Sequence, residues 1–124
     1  MSRAEKISTL WIVVMFNMGF ADILSFMFPD FLAQIMTGTV DGVTITPAFL
    51  LLAAVFVELA IVMIYLTKAL APPISRKLNI AAAALTILFV IGGGSLTPHY
   101  IFFASIEVIA LIYIGELAWR WRAT

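Results

Sequence analysis

The chain alternates between long apolar runs and short polar segments. The apolar runs cover approximately residues 8–28, 47–71, 78–94 and 99–119. Each approaches the roughly 20 residues that an α-helix needs to cross a ~30 Å hydrocarbon core. Proline residues stand at their boundaries, where a helix tolerates them best. Because lipid offers no hydrogen-bond partners to the backbone, the pattern predicts an all-α membrane protein. We expect one domain (residues 1–124), a four-transmembrane-helix antiparallel up-down bundle.

The connection between the first two runs, residues 29–46, is longer than bundle connections usually are. Residues 30–36 are expected to form one or two helical turns along the membrane interface. Asp41-Gly42 lies between β-branched residues, which is typical of a tight hairpin turn. The apolar content of this segment predicts a cap over one end of the bundle, and a plain structured connector is the alternative.

Composition supports the membrane interpretation and excludes several functions. Of 124 residues, 64% are hydrophobic and 11% charged, with mean hydropathy +1.13. A soluble domain carries about 25% charged residues, so a soluble or disordered chain is excluded. The formal net charge is zero, which predicts no nucleic-acid partner. Without cysteine, phosphate-binding loop, nucleophile elbow or metalloprotease motif, the sequence predicts no catalytic residue, metal or cofactor.

The cationic residues predict how the helices are oriented. The seven Lys and Arg residues all fall on one side of the predicted bundle: Arg3, Lys6, Lys68, Arg76, Lys77, Arg120 and Arg122. By the positive-inside rule, both termini are expected in the cytoplasm. Trp11, Trp119 and Trp121 lie on the same side and are expected to anchor in the headgroup layer. The first run is too long for a signal peptide and has no small-x-small cleavage site, so we expect a retained helix.

Three carboxylates lie inside the predicted spans. An acidic residue at mid-membrane costs roughly 2.5–3.5 kcal/mol, so such residues usually face the bundle interior and mark function. A rise of 1.5 Å per residue places Asp22 ~9 Å, Glu58 ~16 Å and Glu107 ~12 Å from the outer helix ends. No Lys or Arg lies at this depth, and the three cannot all be ionised there. They are therefore expected to converge on one site that holds protons, a cation or a polar ligand.

Three further polar residues complete the candidate site. Asn17 lies on a small polar stripe of the first helix, and Tyr100 aligns with Glu107 at seven-residue spacing on the fourth. His99 stands at the outer mouth, where a single histidine is more often an interfacial polar group than a ligand. On the second helix, residues 51, 54, 58, 61 and 65 share one side. Interhelical hydrogen bonding that locks the bundle is the alternative role for the acids. Near the end of the fourth helix, Glu116 and Arg120 are expected to form an ordinary i,i+4 ion pair.

Three stretches carry a resemblance to a known family. They are LWIVVMFN (10–17) with Ala21-Asp22, FVE (56–58) and YIFFASIE (100–107). The chain resembles a family of small prokaryotic membrane proteins that has only a domain-of-unknown-function label. More loosely, it resembles DoxX-like proteins, which have four short helices with an acidic residue in the second. The resemblance implies a prokaryotic plasma (inner) membrane location and supplies no substrate.

Three functions compete at this point. The first is a binding or transport protein that takes a cation, protons or a small polar ligand into the carboxylate cluster. Its size suits small multidrug transporters, although those place the key Glu in the first helix, where this chain has Asp22. The second is a non-catalytic scaffold or accessory subunit. An enzyme is the least supported. Besides the lipid bilayer, a homodimer is expected, because four short helices bury little surface, but the sequence identifies no interface.

Overall fold

The computed structural model describes residues 1–40, 42–93 and 96–121. Within these residues, five helices and one two-stranded hairpin follow each other: α1 (Arg3–Phe26), α2 (Phe31–Thr37), β1 (Thr39–Val40), β2 (Val43–Thr44), α3 (Pro47–Ala69), α4 (Pro72–Gly92) and α5 (Pro98–Trp119). The four long helices are each long and apolar enough to cross a membrane. The predicted all-α membrane bundle is confirmed.

Two helices begin earlier than the hydropathy pattern predicts. α1 begins at Arg3, because the Ser2 side chain caps it by accepting a hydrogen bond from the Glu5 backbone N–H at 3.1 Å. α4 begins at Pro72 rather than near residue 78, since the N–H groups of the first turn need no partner within the helix. α3 and α4 are therefore joined by a very short turn. The predicted end of the third span at Gly94 lies outside the described residues.

The four long helices form a closed ring in the order α1, α3, α4, α5. α1 packs between α3 and α5, and α4 packs against the same two helices from the other side. Consecutive helices run antiparallel, so the start of α1, the end of α3, the start of α4 and the end of α5 meet at one end. We call this the basic end, because it carries the described Lys and Arg residues. The opposite end, which carries β1 and β2, is the hairpin end.

The buried positions recur at alternating spacings of three and four residues, as in a left-handed coiled coil. On α1 they are Ile7, Trp11, Val14, Met18, Ala21 and Ser25, beside Ser8. On α5 they are Glu107, Leu111, Ile114 and Ala118, beside Ala110. Hydropathy does not reveal this repeat, because small, polar and apolar residues share its positions. The repeat lets side chains of one helix fit between those of its neighbour.

The interior is more polar than much of the surface. The buried polar or charged side chains are Ser8, Ser25, Thr67, Ser75, Asn79, Thr86 and Glu107. Large apolar side chains such as Leu88 (69% exposed) and Ile109 (67%) cover the outside. A protein in water does not expose so much apolar area without a partner. This distribution matches a protein that has lipid as its solvent.

The hairpin end contains the helix and the hairpin that the sequence predicts. α2 ends at Gly38, and β1 pairs antiparallel with β2, with Val40 opposite Val43. Gly38 (φ +81°) and Gly42 (φ +80°) supply the left-handed backbone conformations. Asp41, the other predicted turn residue, lies outside the described residues. Among the described residues, α2 packs against the end of α1 and none of its own residues is fully buried, so it does not form the expected cap.

Candidate functional site

A buried network of polar side chains joins three helices near the basic end. The Trp11 indole Nε1–H donates a hydrogen bond to Asn79 Oδ1 at 2.7 Å, across the ring from α1 to α4. The same oxygen lies 3.3 Å from Thr67 Oγ1 on α3. Ser75 Oγ donates to the Thr67 carbonyl at 3.0 Å, and Asn79 Nδ2 donates to the Ser75 carbonyl at 2.9 Å. The network fixes α1, α3 and α4 relative to one another.

The position of Trp11 corrects its expected role as a headgroup anchor. Its side chain is fully buried, at 0% exposure, because the helix repeat turns it toward the ring centre. Trp119 is 69% exposed, as an interfacial anchor would be, and the Arg76 guanidinium lies 5.7 Å from its ring centroid. Trp11 lies four residues after Ile7 and three before Val14. This spacing is the sequence signal that identifies Trp11 as a core residue.

Two arginines at the basic end make contacts with residues near the end of α5. Arg3 Nη1 donates a hydrogen bond to the Leu117 carbonyl at 3.0 Å, near the end of α5, where carbonyls lack helical partners. The predicted pair of Arg120 with Glu116 is confirmed at 3.3 Å, and it is the one ion pair among the described residues. Arg122 lies outside those residues. The described cations therefore lie away from the acids within the spans.

Two of the three predicted acids lie on neighbouring helices, α1 and α5, at a distance where their charges interact. Glu107 lies near the middle of α5 and is 2% exposed. Asp22 lies near the end of α1 and is close enough to interact electrostatically with the Glu107 carboxylate. Tyr100, in the first turn of α5, interacts electrostatically with both. Asp22 itself is exposed, so the pair extends from the interior to the surface of the bundle.

His99 joins the first and last long helices beside this pair. Its Nε2 lies 3.0 Å from Ser25 Oγ, which also donates a hydrogen bond to the Ala21 carbonyl at 2.8 Å. Because a hydroxyl has one proton, these two contacts together require His99 to donate from Nε2. The His99 ring packs 5.8 Å from Phe28. Nearby, the Tyr100 hydroxyl donates to the Val90 carbonyl at 3.3 Å, which ties α5 to α4.

The structure places Asn17 and Glu58, the other two predicted residues, apart from the Asp22–Glu107 pair. Asn17 Nδ2 donates to the Val13 carbonyl of its own helix at 2.7 Å. Glu58 is exposed, because α3 turns Ala60, Met63 and Thr67 inward instead. Over the described residues, no three His, Cys, Asp or Glu side chains are arranged to hold a metal ion. Asp22 and Glu107 therefore form a pair, and Glu58 lies apart from them.

A polar interior, an apolar exterior and four spanning helices define a multi-pass helical membrane protein. The chain belongs to a family of unknown function (DUF6326), whose model matches residues 1–124. The resemblance to a family with an unknown-function label is thereby confirmed. No curated protein and no solved structure matches the chain.

Proposed function

We propose that the protein binds a small cationic species, either a proton or an organic monocation, at Asp22 and Glu107. The observation that carries this proposal is the burial of Glu107, at 2% exposure, beside a second carboxylate. Burying an uncompensated carboxylate is costly, and a bound cation or proton removes that cost. The described Lys and Arg residues lie at the basic end, so a species from outside the chain supplies the positive charge.

The positions of Asp22 and Glu107 also define an entry path for the cation or proton. Asp22 is exposed near the end of α1, whereas Glu107 lies deeper, near the middle of α5. A cation that enters at the hairpin end meets Asp22 first and then Glu107, and Tyr100 interacts electrostatically with both. With both termini in the cytoplasm of a prokaryotic inner membrane, this end faces the outside.

The test uses tetraphenylphosphonium as the organic cation and purified protein in detergent. Calorimetric titration compares the wild type with Glu107→Gln and with the matched control Glu116→Gln at the basic end. A charge-assisted contact contributes about 1.5–3 kcal/mol, so Glu107→Gln is expected to weaken binding about 10- to 150-fold. The control is expected to bind as the wild type does, since Glu116 pairs with Arg120 far from the site.

A second measurement separates the proton from the organic cation. Protein in liposomes is exposed to a pH gradient, and an internal dye follows proton entry with and without tetraphenylphosphonium. Entry that Glu107→Gln abolishes identifies the proton as the bound species. Binding without proton entry identifies the organic cation. If the wild type binds no tetraphenylphosphonium and admits no more protons than empty liposomes, the proposal is wrong.

A scaffold or accessory subunit is the second candidate. It is supported by the buried side-chain nitrogen and oxygen atoms, all of which have hydrogen-bond partners within the described residues. A bundle satisfied in this way needs no ligand to be stable. A stoichiometric membrane partner that co-purifies with both the wild type and Glu107→Gln would favour this function. Transport and the looser DoxX-like resemblance stay predictions.

A further inference from the structure

One side of α3 carries an acidic residue but has no neighbour within the chain. Among the four spanning helices, α3 buries the smallest share of its residues. Leu51, Ala54, Glu58, Ile61 and Tyr65, which we call the α3 seam, are all exposed. They follow one another at spacings of three, four, three and four residues, like the buried positions of α1. Exposed positions 102, 105, 109 and 112 of α5 have the same spacing, so the α3 seam is distinguished by the acidic residue at its centre.

Glu58 makes lipid an unsuitable neighbour for this seam. It is the middle residue of α3, ~16 Å along the axis from either end at 1.5 Å per residue. Its side chain is too short to reach the headgroups from there, unlike a long lysine near a helix end. Its exposure in the single chain means that a neighbouring protein surface has to satisfy it.

We propose that the α3 seam binds the α3 seam of a second copy of this chain. The asymmetry of the cations gives every copy the same orientation, so a two-fold axis between copies is parallel to the membrane normal. The two α3 helices then run parallel, and each seam residue meets its own counterpart. Glu58 meets Glu58 of the second copy, and the two carboxyl groups lie where they can hydrogen-bond to each other.

Two features of the seam favour a second copy over a different protein. The two-fold axis places Glu58 of the second copy at the same depth, so a second copy supplies a hydrogen-bonding side chain opposite Glu58. Ala54 lies one turn from Glu58, and a small residue there lets two identical helices approach closely. A single polar residue within an apolar seam also fixes the register of a parallel pair.

The absence of cysteine from the chain allows a direct test in native membranes. Single variants Ala54→Cys and Ile61→Cys are oxidised, and denaturing gels measure the dimer. The matched controls are Leu88→Cys and Ile109→Cys, at apolar positions of α4 and α5 that are 69% and 67% exposed. Both seam variants are expected to form disulfide-linked dimers, and both controls to remain monomeric. Monomer at every position, equal linking at all four, or linking to a protein of another mass would overturn the proposal.

Substitutions of Glu58 test its interhelical hydrogen bond separately. Glu58→Gln keeps a hydrogen-bonding side chain and is expected to dimerise as the wild type does. Glu58→Leu is expected to weaken dimerisation about 3- to 30-fold, which corresponds to the loss of one interhelical hydrogen bond. Energy transfer between labelled copies in liposomes measures both. A Glu58→Leu variant that dimerises as tightly as Glu58→Gln would contradict the role of Glu58. The Ala54→Cys and Ile61→Cys results do not depend on Glu107, so this proposal and the cation site can fail independently.

Discussion

At the scale of residues, the side chains that specify this bundle are the polar ones. Trp11, Asn79 and Thr67 meet at the ring centre through hydrogen bonds of 2.7 and 3.3 Å. Apolar contact alone hardly favours one helix partner over another in a membrane, because lipid tails are equally apolar. A directional hydrogen bond between buried side chains distinguishes the correct packing from a rotated one.

The first prediction concerns this network. Trp11→Phe keeps an aromatic ring but removes the donor to Asn79 Oδ1, and is expected to lower the free energy of unfolding by about 1–3 kcal/mol. Trp119→Phe, at a 69% exposed position, is expected to change it by less than about 0.5 kcal/mol. Unfolding titrations in mixed micelles measure both. Equal losses at the two positions would show that the hydrogen bond contributes nothing specific.

At the scale of elements, the sequence predicts the helices better than it predicts their faces. Length, hydropathy and proline positions place all four spans, because crossing a membrane imposes a long apolar run. The direction in which each helix turns depends on its neighbours. Glu58 was expected inside with Asp22 and Glu107, yet α3 turns it outward, because the whole helix is apolar and hydropathy distinguishes no face. The sequence places Asp22 and Glu107 at similar depths, but their proximity depends on the packing of α1 against α5, which hydropathy does not reveal either.

The second prediction concerns the glycine that ends α2. Gly38 has φ +81°, a conformation in which a Cβ is strained, so Gly38→Ala is expected to cost about 1 kcal/mol locally. Gly115→Ala, within α5 and with open space around the added Cβ, is expected to be neutral or stabilising by up to about 1 kcal/mol. Amide hydrogen exchange of residues 31–45 is the measurement. Faster exchange there in Gly38→Ala alone is expected, and unchanged exchange would contradict the structure of this turn.

At the scale of the whole molecule, charge is divided between two ends. The described Lys and Arg residues gather at the basic end, where Arg3 and Arg120 also engage the last turns of α5. The hairpin end has no Lys or Arg among residues 29–40, 42–46 and 96–98. The two membrane faces therefore receive very different charges, although the formal net charge of the chain is zero. By the positive-inside rule, we expect this asymmetry to give the chain a single orientation in the membrane.

The third prediction is that orientation. A green fluorescent reporter fused after residue 124 is expected to be bright, and alkaline phosphatase inserted after Gly42 is expected to be active. Each reporter works on one side only, in the cytoplasm and in the periplasm respectively. The same insertions exchanged between the two sites serve as controls and are expected to be silent. A dark terminal fusion together with an inactive hairpin insertion would mean the opposite orientation.

The hydrogen bond of 3.0 Å between Arg3 and the Leu117 carbonyl has one more consequence. It holds the first and last long helices side by side, so the backbone nearly closes on itself at the basic end. A circular permutant that links α5 to α1 and opens the chain in the hairpin would retain every helix neighbour. Its helices would be synthesised in another order and would begin on the opposite face of the membrane. In this architecture, the final packing of the helices would therefore not depend on the order in which they are synthesised.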